Sequence, residues 1–102
     1  MISNTIILNT TTDIITVPAL KTYASVTLTF CNTSITDETI TVYAIPSGGT
    51  AVDGTTVISS LTIAAKETFV FDNKMIMSAG DKISAVGTVG SKVTATASYM
   101  AL

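Results

Sequence analysis

Residues 23–50 read YASVTLTFCNTSITDETITVYAIPSGGT, and this stretch decides the fold class of the chain. Apolar residues occupy alternate positions before and after a short polar turn: Val26, Leu28, Phe30, Ile40, Val42 and Ala44. A period of two places alternate side chains on one face of a β-strand. The stretch therefore predicts two half-buried antiparallel strands that pair as a hairpin, with residues 31–37 as the turn and Pro46 as the end.

Short runs rich in β-branched and aromatic residues recur along the rest of the chain, at residues 5–8, 13–17, 57–63, 67–72, 82–86 and 92–102. No helical periodicity holds for a useful length. About eight strands at short, even spacing predict an all-β fold, a single antiparallel β-sandwich of Greek-key or jelly-roll type over residues 1–102. Residues 1–8 are either an edge strand of this domain or an arm that docks on a neighbouring subunit.

The longest irregular segment is PSGGTAVDGTT, residues 46–56. Its glycines do not indicate a phosphate site, because the phosphate-binding loops need a lysine and a helix after the loop. We expect it to cross from one sheet to the other, or to be an exposed contact loop.

Four finer expectations concern the second half of the chain. We expect Val57, Leu61 and Ile63 to point inward and a bulge to form at residues 59–60. Phe69 and Phe71 are expected on one face, and residues 73–74 are expected to form a turn or kink.

The composition is apolar and poorly charged. Hydrophobic residues make up 47% of the chain and charged residues only 12%, whereas about 25% is usual. Threonine, at about a fifth of the chain, supplies polarity instead and favours strands. The high threonine content and low charge have two explanations. They are either a consequence of a β-rich composition, or they indicate a surface that packs against other subunits. The second has a physical basis because burying a hydroxyl costs less free energy than burying a charge.

Several classes of function lack the residues they need. A net charge of −2 without arginine predicts no nucleic-acid partner. Histidine, the commonest general base and metal ligand, is missing. The single cysteine, Cys31, is expected to be a small buried hydrophobe at a strand end. We expect no signal peptide and no membrane-spanning segment.

No catalytic, metal or cofactor site is predicted, and we expect the protein not to be an enzyme. The acidic residues lie mostly at expected turns, where carboxylates are usually solvated caps. The serines have no base to activate them. Three tyrosines, Tyr23, Tyr43 and Tyr99, could stack on sugars, but packing at the edge of the core is the expected role of at least two of them.

Three segments carry a family resemblance: TVPALKTYASVTLTFCNTSITDETITVYAIPSGGTAVDG, LTIAAKETFVFDNKMIMSAGDKIS and the closing VTATASYM. Over residues 14–100 the chain resembles small all-β virion accessory proteins of tailed bacteriophages, which decorate capsids as cement or belong to head fibres and tails. Ala19-Leu20-Lys21 stands where that family usually has Ala-Gly-Lys, and Ala65-Lys66-Glu67 where it has Ala-Gly-Glu. Both departures fall in expected turns.

The resemblance implies a capsid decoration protein located on the capsid surface of the virion and made in the host cytoplasm. Its partners would be the major capsid protein and copies of itself, as a dimer or trimer. The alternative is a tail- or fibre-associated module that binds a host receptor or glycan. The candidate interface residues are Met1, Ile2, Ile6, Leu8, Thr27, Thr29, Tyr43, Pro46, Ser47, Val52 and Asp53.

Overall fold

A computed structural model describes residues 1–88, 90 and 92–102. For residue 73 it describes the backbone but not the side chain. The described chain forms eight strands, no α-helix and one 3₁₀ turn at Asp53–Thr55, which confirms the all-β prediction. The strands are β1 (Ile2–Ile7), β2 (Thr12–Thr16), β3 (Tyr23–Asn32), β4 (Glu38–Ile45), β5 (Thr56–Ile63), β6 (Thr68–Met77), β7 (Lys82–Gly87) and β8 (Val93–Ala101).

Two four-stranded antiparallel sheets contain these strands. Sheet A has the order β1-β8-β3-β6, and sheet B has the order β2-β7-β4-β5. The first strand thus pairs with the last, the second with the seventh, the third with the sixth and the fourth with the fifth. This is one long hairpin wound into two layers, the arrangement of a jelly roll.

The core lies between the two sheets and is built from the alternating apolar positions. Val26, Leu28 and Phe30 of β3 are fully buried, as are Ile40 and Val42 of β4. The last strand contributes small side chains, which let the sheets approach closely at its centre. Its buried residues are Val93, Ala95 and Ala97.

The predicted hairpin at residues 23–50 is wrong. β3 lies in sheet A between β8 and β6, whereas β4 lies in sheet B between β7 and β5. Both edges of β3 are therefore occupied, and the short connection 33–37 crosses from one sheet to the other. The prediction that residues 46–56 cross between the sheets is wrong as well, because β4 and β5 pair directly and their long loop closes a hairpin within sheet B.

Asn32 holds the crossing between β3 and β4. Its side chain is completely buried, and its amide donates to the carbonyl oxygens of Thr36 (2.8 Å) and Ile63 (2.9 Å). Its amide oxygen accepts from the main chain (3.0 Å) and the hydroxyl (2.8 Å) of Ser34. One side chain thus joins the β3–β4 connection to the end of β5 in the opposite sheet.

Asp81 plays a similar part at the other end of the sandwich. Its carboxylate accepts from the main-chain N–H of Ser47 (2.9 Å) and of Ser78 (3.0 Å), and its main-chain oxygen accepts from Val17. Gly80, with φ +86°, lies so close to Ser47 that an added Cβ would come within 2.8 Å of the Ser47 Cβ. The Gly80-Asp81 pair therefore anchors the start of the β4–β5 loop.

The sequence expectations for β5 are confirmed in part. The bulge at residues 59–60 is present: Ser60 has φ +51°, and the register with β4 shifts between Ile40 and Val42. Leu61 and Ile63 point inward as expected, but Val57 is exposed and Ile58 packs on the core instead. The bulge, together with a second register shift between Val42 and Tyr43, changes which residues of β5 face the core. Strict alternation of buried and exposed side chains therefore fails in this strand.

Two other expectations need correction. The turn expected at residues 73–74 is absent because β6 continues as a strand to Met77, but the register of β6 with β3 shifts between Phe71 and Met75, an irregularity of the kind expected from a kink. Phe69 and Phe71 both pack against the core, as expected. Cys31 is only half-buried rather than buried, because it lies on the outer face of sheet A.

The two residues that depart from the expected family pattern, Leu20 and Lys66, both have left-handed backbone conformations. Leu20 has φ +65° and Lys66 has φ +64°. Left-handed backbone is unfavourable for residues with a Cβ and natural for glycine. Positions 20 and 66, where the expected pattern has glycine, are therefore positions at which this fold adopts a positive φ.

Candidate functional site

The outer face of sheet A is formed by the side chains that alternate with the core residues of β1, β8, β3 and β6. The strand register aligns them in rows, with Asn4, Thr96, Thr29 and Val70 in one row and Ile6, Thr94, Cys31 and Thr68 in the next. A third, incomplete row contains Ile2, Ser98 and Thr27. We call these eleven residues the outer face of sheet A.

The outer face of sheet A contains hydroxyl, amide and apolar groups but no charged side chain. Asp72 and Lys74 are exposed on the same side of β6 and alternate with the core-packed Phe71 and Met75, so this side of the sheet is charged beyond the eleven residues. Within the face, the Thr96 hydroxyl donates to the Asn4 amide oxygen at 2.7 Å. Covering such a surface removes hydroxyls and apolar groups from water without desolvating an ion, so the cost of burial is low.

The outward side of sheet B differs in its chemistry. Asp13 accepts from the Ser84 hydroxyl at 2.6 Å and forms an ion pair with Lys82 at 3.7 Å. Tyr43 lies half-buried on this side, opposite Thr56 and Ser84. An exposed ion pair would have to be desolvated by any partner that covered it, so this sheet is the poorer candidate for a large interface.

The structure brings some of the predicted interface residues together and separates others. Ile2, Ile6, Thr27 and Thr29 share the outer face of sheet A. Met1 is at the corner of this face, where its amino group donates to the Tyr99 carbonyl at 2.6 Å. The others lie elsewhere: Leu8 follows β1, Tyr43 is on sheet B, and the β4–β5 loop contains Pro46, Ser47, Val52 and Asp53.

The β4–β5 loop is exposed but internally bonded. The Thr55 hydroxyl accepts from the Val52 N–H at 3.0 Å and donates its one proton to the carbonyl oxygen of Thr50 or of Val52, both of which lie 3.0 Å away. Together with the Asp81 contact to Ser47, these bonds hold the loop at both ends. The loop therefore presents a defined surface at one end of the sandwich.

Tyr23 and Tyr99 stack on each other, with ring centroids 4.2 Å apart and planes at 24°. Tyr23 is only 8% exposed. Burial, and secondarily the neighbouring Tyr99 hydroxyl, raises the pKa of Tyr23 above its ordinary value. The expectation that two tyrosines pack at the core edge is confirmed, and the buried Tyr23 ring offers no platform for a sugar.

Sequence reasoning missed an open groove of about 310 Å³ at the same end of the sandwich as Pro46. Its walls come from the ends of β4 and β6 and the start of β7, and they are mostly apolar. Ile76, on its rim, is highly exposed. The run Met75-Ile76-Met77 was the available signal, since methionines suit adaptable contact surfaces. The lining residues are Ala44, Ile45, Pro46, Met75, Ile76, Met77, Asp81, Lys82 and Ile83.

Side chains of the kind that bind metal ions do not cluster in the part of the chain that the structure describes. No group of three or more Cys, Asp or Glu residues is placed to hold a metal ion there. Over the same residues, no helix is long and apolar enough to cross a membrane. What the geometry offers is surface: the outer face of sheet A, the β4–β5 loop and the groove.

Comparisons with known proteins identify no relative. No family model matches the chain, and neither a curated protein nor a solved structure matches it significantly.

Proposed function

We propose that this protein is a non-enzymatic structural protein of a tailed-bacteriophage virion, a decoration protein that binds the capsid exterior and bridges neighbouring major capsid subunits. The observation that carries the proposal is the outer face of sheet A, whose eleven residues, two rows four strands wide and a third row of three, include no charged side chain. The resemblance of residues 14–100 to phage accessory proteins supplies the biological setting.

The physical argument concerns the cost of burial. A decoration protein meets the same lattice surface many times, and many moderate contacts give avidity without any single strong interface. The hydroxyls of Thr27 and Thr29 are able to exchange water for polar groups of a capsid subunit. A contact confined to these eleven residues desolvates no charged side chain of this protein, so even a modest contact area retains a favourable free energy.

The jelly-roll fold is compatible with this role but does not select it. Jelly rolls occur in viral capsid proteins, in lectins and in cupins, and a fold by itself does not imply a function. The surface chemistry, and not the fold, is therefore the basis of the proposal.

Decoration would stabilise the shell by mass action. A protein that binds assembled capsid subunits, but not separated ones, lowers the free energy of the assembled state. The expected consequence is that particles stripped of the protein lose their genome at a lower temperature than decorated ones.

A lysine placed in the middle of the outer face tests the proposal. Thr29→Lys should weaken binding to stripped capsids by at least about tenfold, because its ammonium would be buried without a partner. The matched control is Thr39→Lys, at a half-buried outward position of β4, an inner strand of sheet B, and this variant should bind normally. Copies per particle and the temperature of genome release are measured for both variants.

Failure of the wild-type protein to bind capsids would contradict the proposal outright. Equal binding by the two lysine variants would show that the outer face of sheet A is not the contact. Both variants must melt like the wild type for the comparison to be valid, and a lysine at either half-buried outward position is expected to change stability only slightly.

A host-receptor or carbohydrate-binding module at a tail or fibre tip is the second candidate. The groove between Pro46 and Ile76 favours it, since small ligands bind in concave, mainly apolar sites. Hundreds of copies per virion would support decoration, whereas a handful would support the module. Glycan-array binding that Ile76→Asp abolishes would also support the module, because Ile76 lines the groove.

A further inference from the structure

The two sheets have four edge strands, and three of these edges carry features that hinder pairing with another chain. β2 has a register shift between Asp13 and Ile15, and β5 is bulged at Ser60. The register of β6 with β3 shifts twice, and β6 carries the exposed charged residues Asp72 and Lys74. Bulges and charges are the usual means by which proteins protect an exposed edge.

β1 has none of these features. Its register with β8 runs from Ile2 to Ile7 without a shift, and residues 1–8, MISNTIIL, contain no charged side chain, proline or glycine. Ile2 is 71% exposed and Ile6 is 55% exposed. A regular, uncharged edge with apolar side chains is the kind that pairs with another strand.

The hydrogen bonds identify which main-chain groups of β1 are free. Met1 and Tyr99 exchange both main-chain bonds, at 2.6 and 3.0 Å. Because antiparallel pairs alternate, Ser3, Thr5 and Ile7 also face β8. The N–H and C=O groups of Ile2, Asn4 and Ile6 therefore point to the opposite side, where no described strand pairs with β1.

We propose that β1 of one copy pairs antiparallel with β1 of a second copy, about a two-fold axis at Asn4. Ile2 then faces Ile6 of the second copy, and Asn4 faces its own equivalent. In this register each facing pair exchanges both of its main-chain hydrogen bonds. The two copies of sheet A become one continuous sheet, and their uncharged outer faces lie side by side.

The register explains why the occupant is a second copy. Centring on Asn4 makes the strand self-complementary, as a two-fold interface requires. The apolar side chains then meet across the strands, a favourable cross-strand pairing, and no like charges are brought together. The inference rests on this edge alone and stands whether or not the protein binds a capsid.

Sedimentation equilibrium of the full chain over about a hundredfold concentration range tests the pairing. The wild type should shift from monomer towards twice the monomer mass. Ile2→Lys should remain monomeric at every concentration. Ile76→Lys removes an equally exposed isoleucine (78%) from the protected β6 edge, and it should dimerise like the wild type.

Amide hydrogen exchange identifies the interface. At dimeric concentrations the Ile2, Asn4 and Ile6 amides should become protected, whereas Ser3, Thr5 and Ile7 should be protected at all concentrations. A second variant, Asn4→Pro, removes one free N–H and no main-chain bond to β8, and loses only the exposed side-chain bond from Thr96. It should abolish the dimer while the domain stays folded.

Two results would overturn the inference: a wild type that stays monomeric, or a dimer in which the Ile2, Asn4 and Ile6 amides exchange freely. Neither result affects the capsid proposal, which depends on Thr29. Thr29→Lys separates the two questions, because Thr29 lies on β3 and not at the β1 edge: this variant should lose capsid binding and still dimerise.

Discussion

The connections on either side of β4 are opposite in length and in topology. The shorter one, residues 33–37, crosses from sheet A to sheet B, whereas the longer one, residues 46–55, joins two paired strands of sheet B. Short links usually join hairpins, and long ones usually make crossovers. Here the winding of the chain reverses that relation, so loop length is a poor guide to strand pairing in this fold.

The reason lies in the partners of β3. β8 and β6 come from the second half of the chain and take both edges of β3, so β4 has no edge of β3 to join. The β4–β5 pair is the tip of the wound hairpin, where chain neighbours are also sheet neighbours. A connection of only five residues between the sheets must therefore be held by strong local hydrogen bonds, and the Asn32 side chain makes them.

The largest expected loss of stability follows from replacing Asn32. Asn32→Ala should lower the free energy of unfolding by about 3 kcal/mol, because it leaves the Thr36 and Ile63 carbonyls without their buried donor. Chemical denaturation measures the change. The neighbouring Thr33→Ala, at an exposed position, is the control and should cost about 0.5 kcal/mol or less. Equal losses for the two variants would show that Asn32 does not hold the crossing.

A smaller effect is expected where the β4–β5 loop is anchored. Gly80→Ala should cost about 2 kcal/mol, because it combines a positive φ with a clash against Ser47. Gly54→Ala, in the same loop with open space around it, should be nearly neutral. Thermal unfolding measures both.

A double variant separates the two causes of the Gly80 effect. In a Ser47→Gly background, Gly80→Ala should cost less, since the clash is removed and only the backbone strain remains. An unchanged cost would mean that Ser47 contributes nothing.

The smallest effect is expected from lengthening the long loop. Inserting Gly-Ser between Gly49 and Thr50 should cost less than about 1 kcal/mol, since closing a slightly longer surface loop is inexpensive. The same insertion between Ser34 and Ile35 should cost clearly more, because it separates Thr36 from Asn32. Denaturation midpoints compare the two proteins, and equal tolerance would contradict the proposed role of the short connection.

Much of the fold was predictable because the period of two is a local property. It placed Val26, Leu28 and Phe30 in the core and Thr27 and Thr29 outside, and it predicted about eight strands. It failed at β5, where a bulge moves Val57 to the surface and Ile58 towards the core. Bulges interrupt the alternation, and their exact placement depends on the partner strand.

The candidate surface was predictable only in parts. Thr27 and Thr29 could be placed on an outer face from their own strand. That Ile2 and Ile6 continue the same face, two strands away, depends on β8 lying between β1 and β3. The groove beside Pro46 was not predictable either, because it joins the ends of strands that are far apart in the chain.

By itself, the sequence determined the strand-forming segments, the side chains that alternate into the core and the nearly uncharged character of the threonine-rich surface. Those properties follow from single residues and their near neighbours. Only the tertiary structure decided that β3 and β4 separate, that β4 and β5 pair, and that β1 is left as a bare edge. Strand pairing is set by main-chain bonds between distant segments and by the closing of two layers, neither of which is written in a local pattern.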